Sequence, residues 1–467
     1  MKKSLGIAVL LALTMMGMGC GSNSSTSGGQ NQPGNVFVTG EDAPLSSVVG
    51  FNVTLNSVTL NGQDGTTATV ISTPTTVDFA RLIGLRSPLA FNSVPADTYV
   101  SATFVLANPV IDYVTLSPVA MNTINGTFPN NQNPYTMTVD FPTNMVVGSN
   151  GLAGLKMDMD IRDSVATDGS GNLVISNNTI AVNPVIFIKA THASDPDGQV
   201  TDLTGGLVSV STNSFVIQGP YGRQLTVDVN SSTIFNSGWS MTNLAPPAVI
   251  GVQGSFQADG SLMADHVEVI TTAQSFVSGR ILALNGSGAS ETVTMWVGET
   301  GADMVSDVDT IQTFDIGNVS GSNYEICFFD NALTQLVFDG PSDLIVGQRI
   351  FIGGSYSDGT FTPEMISLRR QGVYGLFNVG SVTVTNGNAG SFTIANNGLA
   401  GYTTNGTVTV DTFNGTVFFN LTGLSQLESE TTAIPIIARG LLLNDPTTGN
   451  PTFYAGWVAD PPQPTGN

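Results

Sequence analysis

Lysine occurs at only four positions, Lys2, Lys3, Lys156 and Lys189, and histidine at two, His192 and His266. Charged residues make up 10% of the 467-residue chain, and the formal net charge is −22. So few cations cannot build the basic stripe that neutralises phosphates, and nucleic acid is not an expected partner. The H-E-x-x-H, G-x-S-x-G, C-x-x-C and Walker glycine-lysine patterns are all absent. Zinc chemistry and nucleophilic catalysis therefore lack their usual carriers, so the chain reads as a non-enzyme with no cofactor, no catalytic residue and no metal site. No apolar stretch of 18 residues follows the first 19, which excludes a spanning helix from the rest of the chain.

Gly, Asn, Thr, Ser and Val fill the space left by the missing charges, a palette of strands and turns. Hydrophobic residues at 41% suffice for packed cores. Strand-like alternation is widespread. "FNVTLNSVTL" puts Phe51, Val53 and Leu55 on one face, slips at Asn56–Ser57, and resumes with Val58 and Leu60. "LKMDMDI" puts Leu155, Met157, Met159 and Ile161 on one face, with Lys156, Asp158 and Asp160 on a face that reads as solvated. Residues 79–85 have room for one short helical turn.

The N-terminus reads as an export signal. Lys2 and Lys3 precede an apolar run over residues 5–18 that is too short to cross a bilayer. The run ends in Gly17-Met18-Gly19-Cys20, which resembles the lipobox of bacterial lipoproteins, although Gly17 stands where that motif usually has Leu. The resemblance implies that Cys20 is lipidated and becomes the mature N-terminus. Small-x-small also fits ordinary signal cleavage. Residues 21–34, "GSNSSTSGGQNQPG", form a flexible tether with a reach of roughly 20 Å. Gly21, rather than Asp, follows the cysteine, which by analogy with lipoprotein sorting implies the outer membrane. A lipidated Cys20 leaves Cys327 without a disulfide partner, and its apolar setting in "YEICFFD" suits a buried, inert thiol.

Residues 35–195 form one unit. Its segments Asp42-Ala43-Pro44, Val94-Pro95-Ala96-Asp97-Thr98-Tyr99 and Met159-Asp160-Ile161 follow one another in an order that resembles domain of unknown function forty-three eighty-two. That family is common in bacterial and archaeal lipoproteins. The resemblance implies a β-sandwich-like domain and assigns no activity.

The remainder repeats. "GVQGSFQADGSLMADHVEV", residues 251–269, returns as "GGSYSDGTFTPEMISL", residues 353–368, and more loosely as residues 440–458. Asp259-Gly260 pairs with Asp358-Gly359, and the third copy has "NDPTTGN" in their place. A carboxylate needed for catalysis or metal binding would have to recur in every active copy, whereas a hairpin needs only turn formers. Gly206-Leu-Val, Gly279-Arg-Ile and Gly375-Leu-Phe open the three copies. The second carries an insertion over about 298–345. These modules resemble domain of unknown function fifty-six sixty-six, on Val346-Gly347-Gln348-Arg349-Ile350 and Asp259-Gly260-Ser261-Leu262-Met263-Ala264, which implies small barrels of about five strands. The expected fold is all-β: signal 1–19, lipidated Cys20 and tether 20–34, a sandwich-like domain 35–195, barrel-like modules 200–272, 276–370 and 373–460 in tandem, and a tail 461–467.

Candidate chemistry is sparse. Asp158, Asp160, Asp163, Asp168, Asp195 and Asp197 offer oxygen ligands for calcium, yet lack the spacing and distal Glu of an EF-hand. Trp239, Trp296 and Trp457, with Tyr221, Tyr356 and Tyr454, offer either core packing or faces for sugar rings. His266 aligns with Met365 and Trp457, which suits packing or surface better than ligation. The expected role is a non-catalytic binding, adhesive or structural component of the cell envelope. Its partners would be a membrane, reached through the lipid, and a polysaccharide or other envelope component. The alternative is a carbohydrate-binding or carbohydrate-acting surface protein, possibly calcium-dependent.

Overall fold

The computed structural model describes residues 32–460 apart from 44, 46–47, 83–85, 117, 169–171, 196–197, 220–222, 273–274, 302, 328–332, 334–335 and 396–405. The signal, Cys20 and most of the tether lie outside the described residues, as does the tail.

The fold is all-β. Two sheets face one another in the N-terminal part. The smaller has the order 186–191, 152–160, 34–43, 87–94, with strand Gly34–Ala43 parallel to Leu152–Asp160 and antiparallel to Ser87–Val94. The larger is built on the long strands Val48–Gly62 and Asp97–Leu116. Their apolar faces enclose one core that includes Val36, Val53, Leu55, Phe104, Leu155, Met157 and Met159. The slip seen at Asn56–Ser57 is a register shift between Leu55 and Ser57, which keeps Val58 and Leu60 pointing inward. Phe79–Leu82 forms a single 3-10 turn.

The "VPADTY" segment owes its shape to Tyr99. Its ring is fully buried and its hydroxyl donates to the Pro95 carbonyl at 2.8 Å, pinning the chain's entry into the strand Asp97–Leu116.

Three further sheets follow, over residues 200–271, 275–368 and 371–459. In the first, five strands run 224–228, 214–218, 200–210, 249–256, 262–271, and the ends meet where Val227 and Asp228 pair with Leu262 and Met263. The third closes the same way, with Leu376 and Phe377 pairing with Ala395 and Ile394. The second keeps this strand order without a ladder between Thr310–Asp315 and Thr360–Leu368. There the Phe314 and Phe361 rings meet edge to face at 5.6 Å. Its insertion packs Met304, Ile316, Tyr324, Phe338 and Leu344 into the core.

A bulge glycine sits at the same place in each barrel. Register shifts fall just before Gly254, Gly354 and Gly440. A Cβ there would lie 2.1, 2.1 and 1.9 Å from the carbonyl oxygens of Met263, Thr362 and Tyr454, so only glycine fits.

The barrels close around the sandwich. Phe37 stacks on Phe256 of the first barrel at 5.2 Å. Val49 and Val114 pack against Leu282 and Trp296 of the second. Glu41 is ion-paired with Arg439 of the third. The face of Lys156, Asp158 and Asp160, which alternation alone marks as solvated, is therefore covered: Glu41 and Asp160 are buried, and Lys156 bonds Glu41 at 2.6 Å.

Candidate functional site

The Asp-Gly pairs are turn tips. Asp259 accepts from the Ser261 amide at 3.0 Å and the Ser261 hydroxyl at 2.7 Å, and these bonds lower its pKa. Gly260 takes φ +88°, and in the second copy Asp358 and Gly359 take +52° and +78°. In the third, Asp445 accepts from the amides of Thr447 and Thr448 at 2.6 and 2.8 Å. The first tip also docks, because Asn35 donates to the Ala258 carbonyl at 2.7 Å and Phe91 lies against Gly260.

The other acids are spread out. Asp160 caps the turn Ile161–Ser164 by accepting from the Asp163 amide at 2.9 Å, and burial raises its pKa. Asp168 accepts from Asn172, and Asp195 from the His192 amide. Asp197 and Tyr221 lie outside the described residues. Among the described residues no group of three His, Cys, Asp or Glu side chains converges as a metal site would require. His266, Met365 and Trp457 hold one register position, opposite Gln253, Gly353 and Arg439. Burial lowers the pKa of His266. Cys327 is buried in the core of the second barrel.

The aromatic residues differ in accessibility. Tyr454 is buried, and Trp457 carries Arg439 over its ring at 4.2 Å and Phe419 stacked at 6.2 Å. Trp239 packs on the first barrel's core. Tyr356 is exposed. Trp296 is buried but lines a cleft.

That cleft, of about 450 Å³, lies where the sandwich meets the second barrel. The barrel supplies Ser278, Arg280, Trp296, Glu299 and Arg349, and the sandwich supplies Arg81. Arg81 projects from the 3-10 turn. It bonds Asp78 at 2.8 Å and Asp309 at 2.6 Å, and its guanidinium lies 5.8 Å from the Trp296 ring centroid. Asp78 is held beneath it by the amides of Phe51 and Ala80, at 2.8 and 3.1 Å. Burial pushes the Asp78 carboxyl up to about 6 against the opposing pull of Arg81. Asp112, also raised by burial, accepts from Thr123 at 2.5 Å. Arg349 donates to the Arg370 carbonyl at 3.0 Å and lies 4.0 Å from Glu299. Sequence reasoning about aromatics singled out Trp296 but neither arginine. The signal was present in the repeats, where Arg280 stands opposite Leu207 and Leu376.

A sandwich joined to five-stranded barrels with polar junctions defines a modular all-β protein rather than one enzyme fold. Residues 34–176 match the family model described as Domain of unknown function (DUF4382), and residues 197–268 match Domain of unknown function (DUF5666). The second match takes in the first barrel, whose strand order the other two share. Neither curated proteins nor solved structures provide a match to the chain.

Proposed function

We propose that the protein is an exported lipoprotein, anchored through Cys20, whose β domains serve as a non-catalytic binding, adhesive or structural component of the cell envelope. The observation that carries this reading is the leader itself: two lysines, a short apolar run, Gly17-Met18-Gly19-Cys20, and a polar stretch up to the first strand at Gly34. By the analogy with lipoprotein sorting, Gly21 directs the anchor to the outer membrane. A non-catalytic role is supported by the buried carboxylates, since Asp78, Asp112 and Asp160 each spend their oxygens on structural bonds.

Metabolic labelling with a radioactive fatty acid tests the anchor. Label is expected in the wild-type chain and absent from Cys20→Ser, which should leave the membrane fraction. An unlabelled wild-type chain overturns the reading.

A second reading, carbohydrate recognition, is favoured by the cleft that combines Trp296 with charged and hydroxyl side chains.

A further inference from the structure

Nine of the thirteen basic residues are arginines, since four are lysines, and three of the nine line the one cleft described above. Two of these are direct neighbours. In the antiparallel ladder between Ser275–Asn285 and Arg349–Ser357, Arg280 stands opposite Arg349. In the ladder on its other side, Arg280 stands opposite Trp296. Residues opposite one another share a face of the sheet, so Trp296, Arg280 and Arg349 form a row across three strands.

Like charges directly opposite each other destabilise a sheet. The barrel does not need this pair. At the matching positions the first barrel has Leu207 and Val249, and the third has Leu376 and Pro435. Glu299, 4.0 Å from Arg349, offsets part of the charge, while Asp78 and Asp309 are engaged by Arg81. The indole Nε1 of Trp296, 7% exposed, is buried and has no hydrogen-bond acceptor among the described residues. An unmet buried donor is costly unless a ligand supplies its acceptor.

We propose that this cleft binds a carboxylated sugar, a uronate unit of an acidic polysaccharide. The planar forks of Arg280 and Arg349 match a carboxylate and remove their mutual repulsion by sharing it. The Trp296 N–H and the Ser278 and Glu299 side chains suit ring hydroxyls, and the volume falls in the range of small-ligand sites. The inference deepens the envelope-binding reading by naming a ligand class. Lipidation of Cys20 is read out separately, so either can fail alone.

The test is titration of the full chain with trigalacturonate, followed by calorimetry and tryptophan fluorescence. Maltotriose, triglutamate and sulfate at matched ionic strength are the comparators. Trigalacturonate is expected to bind and to change the fluorescence. Arg280→Leu and Arg349→Val, the residues of the sister barrels, are each expected to weaken it at least tenfold. Without sugar, Arg280→Leu should melt at or above the wild-type temperature. Absence of trigalacturonate binding overturns the proposal. So does equal affinity for maltotriose, because the carboxylate then plays no part. Equal affinity for triglutamate or sulfate overturns the sugar assignment. An Arg280→Leu chain that melts lower and binds the uronate unchanged makes the arginine structural and also overturns it.

Discussion

Glu41 and Arg439, 398 residues apart in sequence, form an ion pair inside the protein, with side chains 4% and 7% exposed. Lys156 approaches the other carboxylate oxygen, and Trp457 lies under the guanidinium. Arg439→Leu strips Glu41 of one counter-charge in a site closed to water. The expected loss is about 3 kcal/mol, measured by denaturant unfolding. Glu41→Gln combined with Arg439→Leu should cost less than the sum of the single changes, which a double-mutant cycle reads directly.

Asp78 gives the protein a pH signature. Its folded pKa, about 6, lies above the ordinary 3.8, so the folded state binds a proton that the unfolded chain releases. Stability from this group is present below about pH 4 and is lost as the pH rises through 6. The effect is on the order of 2 kcal/mol. Asp78→Asn keeps an oxygen for the Phe51 and Ala80 amides and is expected to flatten the stability profile between pH 4 and 6. An unchanged slope would assign the pH dependence elsewhere.

Tyr99→Phe removes one hydroxyl and leaves the Pro95 carbonyl without that donor. A loss of about 1–2 kcal/mol is expected, with the sandwich still folded by circular dichroism.

The bulge glycines separate backbone fit from turn preference. Gly354→Ala drives a Cβ into the Thr362 carbonyl and is expected to cost more than about 2 kcal/mol. Gly359→Ala meets open space and pays only for its φ of +78°, about 1 kcal/mol. Thermal melts of the two variants should rank in that order.

Local features were legible because short-range geometry dictates them. The slip at Asn56–Ser57 marks a bulge since a period of two cannot otherwise keep Leu55 and Val58 both inside. Asp259-Gly260 marks a hairpin since glycine tolerates the positive φ. Comparing the three copies also places His266 with Met365 and Trp457. What could not be read was which faces the barrels cover. Alternation at Lys156, Asp158 and Asp160 looks the same whether water or another domain lies beyond, and nothing near Glu41 in sequence points to Arg439. The row of Arg280, Arg349 and Trp296 comes from strands brought side by side only by the fold.

The first strand, Gly34–Ala43, lies between two neighbours rather than at a sheet edge, and one of them runs parallel to it from Leu152 to Asp160. A pull transmitted through the chain ahead of Gly34 therefore acts along both ladders at once. Their hydrogen bonds share the load in shear instead of opening one by one like a zipper. The point where the protein would be held is thus also the point at which its architecture best resists mechanical extraction.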